Sequence, residues 1–103
     1  MELSFERSVR GDNMELMTKL SDTIESMNSG DYKDRFIAEY AQLVIRTFRL
    51  SSMITKYEIG DLNFTPKTPI EVLEAQLNAM NDYLKILKKR AELEEIELPE
   101  VVL

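Results

Sequence analysis

Arg46, Arg49 and Lys56 fall roughly along one side of a stretch with helical periodicity, and Tyr40 and Tyr57 lie on the same stretch. Guanidinium groups meet phosphates in bidentate geometry, and aromatic rings stack on nucleobases. Phe64 adds a ring in the loop that follows, with Thr65 and Lys67 beside it, and Tyr83 lies further on. Together these residues can hold an anionic, base-bearing ligand. The candidate ligand-binding set is Tyr40, Arg46, Arg49, Phe64, Thr65 and Lys67. The same residue types also populate solvated helix faces, so a charged face without a ligand stands as the alternative.

The chemistry the chain lacks is as informative. It has no His and no Cys, which removes a His-assisted nucleophile, a thiol nucleophile and a zinc site of the usual kind. Gly11, Gly30 and Gly60 stand apart, so no Gly-rich phosphate loop is present. Glu92, Glu94, Glu95 and Glu97 form a charge run, and Glu71 is better explained as a helix cap than as half of an acid/base pair with Glu74. No catalytic residue, metal or cofactor is expected; what remains is binding.

Two seams must position the candidates. Phe36, Tyr40, Leu43, Thr47, Leu50, Ile54 and Tyr57 alternate steps of four and three, as do Ile70, Leu73, Leu77, Met80, Leu84, Leu87 and Ala91. Such stripes face partner helices. The spacing predicts an all-α fold with a long antiparallel hairpin, about 32–57 and 69–94, preceded by an N-terminal helix at about 5–28. Asp31 is the expected cap of the first hairpin helix, with Asp34 completing a capping box. Thr68, Pro69 and Glu71 similarly specify the second start. Gly30 suits a left-handed helix end. Leu62 and Phe64 are expected to fold over the hairpin tip, and Pro99 leaves 96–103 as a short tail. Pairing the seams sets Tyr57 near Ile70, Leu50 near Leu77, Leu43 near Leu84 and Phe36 near Ala91. It also sets Glu39 opposite Lys88, Lys33 opposite Glu94, Arg35 opposite Glu92, and Arg46 close to Asp82.

The N-terminal helix is less regular. Met17, Leu20, Ile24 and Met27 keep helical spacing, but Gly11 and Asp12 interrupt the approach. Off-seam apolar residues complicate a monomeric hairpin: Ile37, Val44, Ile45, Phe48 and Met53 on one helix, Val72, Tyr83 and Ile86 on the other. One extra helix cannot cover them all, so a homo-oligomer is expected.

With 103 residues the chain is a single helical domain, 1–103. A net charge of −6 argues against direct DNA binding, which needs a basic footprint. The charge is uneven: residues 31–57 carry five basic and three acidic side chains, +2, whereas 58–84 carry one and five, −4. No run of about 18 apolar residues suggests a membrane span, and Met1 to Arg10 lacks the pattern of a secretory signal.

The segment Asp31-Tyr-Lys-Asp-Arg-Phe-Ile-Ala-Glu-Tyr40, with Gln42, Leu43 and Arg46, then Leu62-Asn-Phe-Thr-Pro-Lys-Thr-Pro69, then Gln76, Leu77, Met80, Tyr83, Leu84, Leu87, Arg90 and Ala91, resembles a family of small bacteriophage proteins related to a protein of crAss-like phages. The resemblance covers about residues 31–98. It implies a viral protein of the host bacterial cytoplasm. In size and hairpin design it is also similar to counter-defence proteins whose oligomers sequester cyclic nucleotide immune signals. Three readings follow: a sponge for a cyclic di- or trinucleotide; an acidic, anti-CRISPR-like inhibitor that binds a host defence nuclease; or a phage structural or regulatory protein without a ligand.

Overall fold

The computed structural model describes residues 16–103, so the part of the expected N-terminal helix before residue 16, with Gly11 and Asp12, lies outside the described residues. The elements in order are strand β1 (Leu16–Met17), a 3-10 turn (Leu20–Thr23), helix α1 (Ile24–Met27), helix α2 (Tyr32–Glu58), helix α3 (Ile70–Glu94) and strand β2 (Glu100–Val101). The fold is all-α apart from one short parallel pair of strands, which sets Leu16 beside Glu100 and Met17 beside Val101.

The hairpin follows the seams. Phe36, Leu43, Leu87, Ala91 and Ile96 form one buried cluster, with Tyr40, Met80 and Leu84 packed against it. This is the expected antiparallel register at the base of the hairpin. Asp31 caps α2 by accepting from the Lys33 amide at 3.0 Å. Asp34 does not close a capping box; it accepts from Ser29 Oγ at 2.8 Å, and Ser29 Oγ accepts from the Asp31 amide at 3.0 Å. At α3 the helix begins one residue later than expected, with Pro69 at the cap position and no side-chain cap bond.

Both helices end in the same motif. The Asp61 amide donates to the Lys56 carbonyl at 2.8 Å and the Gly60 amide to Tyr57 at 3.1 Å; Ile96 donates to Ala91 at 2.9 Å and Glu95 to Glu92 at 3.4 Å. These are Schellman bonds, which require a left-handed residue. Gly60 (φ 77°) supplies it for α2, Glu95 (φ 58°) for α3, and Gly30 is not in that region. A left-handed Glu costs more than a Gly, but the turn carries Ile96 back into the cluster beside Ala91. The tail therefore docks: Pro99 is buried, and the Val102 amide donates to the Met17 carbonyl at 3.0 Å.

Residues 16–23 are not the expected helix. Asp22 Oδ2 accepts from the Thr18 amide at 3.0 Å, Thr18 Oγ1 at 3.2 Å and the Lys19 amide at 3.2 Å. A side chain that collects backbone donors competes with helix formation, and pairing with the tail removes Leu16 and Met17 altogether. The expected stripe dissolves accordingly. Met17 is buried, but Ile24 and Met27 are exposed, while the small Thr23 and Ser26 are the buried residues of the 3-10 turn and α1. They match Ala38, Ala41 and Ile45, the buried residues of a second face of α2.

None of the four cross-helix charge pairs forms among the described residues. The salt bridges are Lys89–Glu92 at 3.3 Å and Arg90–Glu94 at 3.2 Å, both within α3. Polar cross-links join the helices instead. Arg90 Nη2 donates to Tyr32 Oη at 2.6 Å, and Tyr32 donates to Glu94 Oε1 at 2.8 Å. The Arg90 guanidinium lies 5.0 Å from the centre of the Phe36 ring. At the hairpin tip Leu62 is half-buried, but Phe64 is exposed rather than folded over the end.

Thr47 Oγ1 is buried without a hydrogen-bond partner, so Thr47→Val removes an unsatisfied hydroxyl at nearly constant volume. Urea unfolding is expected to show a gain of about 1 kcal/mol, and a loss would mean that the hydroxyl is satisfied in solution. The Tyr32 and Arg90 hydrogen bonds hold the Glu94 carboxyl below its ordinary 4.5. A group whose pKa is lowered by folding stabilises above its unfolded pKa and loses that contribution as pH falls through the folded value. The melting temperature is therefore expected to decline below pH 4.5, and Glu94→Gln to flatten that decline; an unchanged acid profile in the variant rules Glu94 out as its source.

A candidate ligand groove beside the hairpin

Residues four, three and four apart on α2, Arg35, Glu39, Gln42 and Arg46, make a polar stripe beside the buried seam. Helical geometry gathers them on one side. The stripe lies between the two buried faces of α2, where α3 packs on one flank and the N-terminal segment on the other. A groove of 280 Å³ results, lined by Met27 from α1, by Arg35, Glu39, Gln42 and Arg46 with Ala38 and Leu43 beneath them, and by Tyr83 from α3.

Its walls are tied by hydrogen bonds. Gln42 Nε2 donates to Thr23 Oγ1 at 2.9 Å and to Met27 Sδ at 3.3 Å, fixing the N-terminal wall. Tyr83 Oη donates to Glu39 Oε2, fixing the α3 wall. That bond occupies the one acidic side chain of the groove. Arg35 Nη1 donates to the Ser29 carbonyl at 2.9 Å, which steadies the guanidinium and leaves further N–H groups for a ligand. Arg46 is exposed at the opposite end and is in no salt bridge among the described residues. Its expected partner Asp82 lines a different hollow, 620 Å³ along α3, together with Asn78, Asn81, Leu84, Lys85 and Lys88. That hollow has walls from a single helix, whereas the groove is built by three elements.

The six residues expected from the sequence are not brought together. Arg46 lines the groove and Arg49 is exposed one turn further along α2. Tyr40 is half-buried against the hairpin cluster, and burial pushes its phenol up. It packs; it does not face the groove. Phe64, Thr65 and Lys67 are in the tip loop, with Phe64 exposed. Twelve residues of helix, about 18 Å at the α-helical rise, separate Arg46 from the end of α2. Arg35, Glu39, Gln42 and Met27 are groove residues that the sequence reading did not select. The four-three-four polar spacing beside the seam was the available signal for three of them; Met27 carried none.

Among the described residues no helix is long and apolar enough to cross a membrane, and no group of three or more acidic side chains is placed to hold a metal ion. Fold and groove define a small helical-hairpin protein with an open, partly cationic cleft. It belongs to the Sequestin family, whose model matches residues 30–93, α2 and all but the last residue of α3, and not the N-terminal segment. The family name denotes a sequestering protein; the match carries no link to crAss-like phages. Comparison with curated proteins and with solved structures gave no match.

Proposed function

We propose that the protein binds and sequesters an anionic cyclic nucleotide, a cyclic di- or trinucleotide immune signal, without cleaving it. The observation that carries this reading is the groove between Arg35 and Arg46, inside the stretch that matches the Sequestin family. Two guanidinium groups at its ends suit phosphates. Tyr83 and the thioether of Met27 supply surfaces for a base between them. The chain has no His or Cys with which to activate a nucleophile, so holding a signal intact is the chemistry its residues favour. In this reading it is a bacteriophage counter-defence protein of the host cytoplasm that works as a homo-oligomer. The acidic composition lowers affinity for nucleic acid generally, which a sponge for one small anion needs for selectivity.

Calorimetry against a panel of cyclic di- and trinucleotides tests the proposal. One member is expected to bind, and to be recovered intact by mass spectrometry after the protein is heat-denatured. Because a charge-assisted hydrogen bond contributes roughly 1.5–3 kcal/mol, Arg46→Ala is expected to weaken that binding by at least tenfold while the helical circular dichroism stays unchanged. Failure of every cyclic nucleotide to bind, or recovery of a linear product, refutes the reading.

A further inference from the structure

The side-chain amide of Gln42 stands in the middle of the groove, and its neighbours fix which way round it lies. Thr23 is fully buried, and its Oγ1 gives its single hydrogen to the Leu20 carbonyl at 2.7 Å. A hydroxyl that has spent its hydrogen can only accept, so the Gln42 atom 2.9 Å away is the Nε2 group. The second neighbour agrees. Met27 Sδ, at 3.3 Å, has no hydrogen to offer and also requires an N–H. Both hydrogens of the amide are thereby engaged with the N-terminal wall, and the carbonyl oxygen is the edge left for the groove. Among the described residues nothing donates to it.

Glu39 lies one turn before Gln42, about 4.5 Å along the helix axis. Tyr83 Oη donates to its Oε2, which leaves Oε1 as an acceptor. Arg35 and Arg46, the outer members of the same stripe, are donors only. Along α2 the groove therefore presents donor, acceptor, acceptor, donor. We infer that the inner pair recognises the amino group of a nucleobase, and that Thr23 sets this preference by holding the Gln42 amide in one sense. The inference rests on the binding reading above and adds which bases the site takes.

The division of labour follows from what each group can do. Phosphate oxygens only accept, so they belong with the guanidinium groups at the two ends. Whatever meets two neighbouring acceptors must instead supply hydrogens. The exocyclic amine of adenine, cytosine or guanine carries two on one nitrogen. Uracil and hypoxanthine hold a keto oxygen where cytosine and adenine hold that amine, and the keto oxygen sets its lone pairs against Glu39 and the Gln42 carbonyl. A site built to hydrogen-bond an N–H rejects an analogue that lacks it, because its own buried polar groups are then left unpaired. With the Gln42 amide reversed, its N–H groups would favour the keto bases. The sense of the selection thus lies in how Thr23 holds Gln42, although Thr23 itself touches no ligand. Thr23 is a positioning residue.

Calorimetry on the full chain with matched ligands tests this. Cyclic di-AMP and cyclic di-GMP are each compared with cyclic di-IMP, cyclic di-CMP with cyclic di-UMP, and cyclic tri-AMP with cyclic tri-IMP. The amino-bearing member that binds is expected to bind roughly tenfold or more tightly than the counterpart that lacks the amine. Thr23→Val keeps the volume and removes the hydroxyl; it is expected to bring that ratio close to one with the helical circular dichroism unchanged. Thr23→Ser, which restores a hydroxyl, is expected to keep the wild-type ratio. Gln42→Leu removes the carbonyl itself and is expected to lower the ratio too, which keeps the test open should Thr23→Val not fold. A counterpart without the amine that binds as well as its amino partner, the result expected if the acceptors met ribose hydroxyls instead, overturns the inference. So does an unchanged ratio in folded Thr23→Val or Gln42→Leu. No binding by any of these cyclic nucleotides refutes the functional reading itself, whereas binding without preference refutes only the inference.

Discussion

Burial of α2 on two sides is the constraint on which the rest of the molecule depends. Phe36 and Leu43 face α3 and the tail, while Ala38, Ala41 and Ile45 form the second buried face. The faces differ in kind. The first carries large side chains and supports a long helix partner. The second is built largely of alanines, which lets a 3-10 turn and a single turn of α-helix approach closely through Thr23 and Ser26. A helix flanked on two sides leaves a strip between its neighbours, and on α2 that strip holds Arg35, Glu39, Gln42 and Arg46. The groove is thus a by-product of how α2 is covered.

The tail has a larger part than its length suggests. Glu95 adopts a left-handed conformation that a Gly would hold at lower cost, and burial of Ile96 and Pro99 offsets that strain. The return of the chain brings Glu100 and Val101 beside Leu16 and Met17. The strand pair anchors the segment that leads to Thr23 and Met27, and these two are the partners of Gln42. One wall of the groove is consequently held by the end of the chain furthest from it in sequence.

The family match sharpens which parts of the groove matter. Arg35, Glu39, Gln42, Arg46 and Tyr83 lie inside residues 30–93, whereas Met27 and Thr23 lie outside. The charged and aromatic groups of the groove therefore belong to the stretch that the family model matches. The N-terminal wall contributes shape. The polar and aromatic groups of the cleft are thus placed on long helices, while a less regular segment sets its width.

Helical spacing by itself determined the hairpin, since a stripe of alternating threes and fours has one low-energy solution in water: burial against a second such stripe. The limits of the two hairpin helices came within about a residue, because Asp31 and Pro69 act through local backbone geometry. The absence of His and Cys likewise removed histidine-based and thiol-based chemistry from composition alone. The N-terminal segment was misread because its apolar spacing was helical, while Asp22 and the tail offered its backbone other partners, one local and one at the far end of the chain. The predicted ion pairs failed because exposed charges gain little from pairing, and Tyr32 and Tyr83 provided better-placed donors. Arg46 was legible as a cation, but the groove was not. A cavity is the space left between elements, and only tertiary packing decided that Met27, Gln42 and Tyr83 would stand around one gap while Tyr40 turned into the core and Phe64 stayed at the far end of the hairpin.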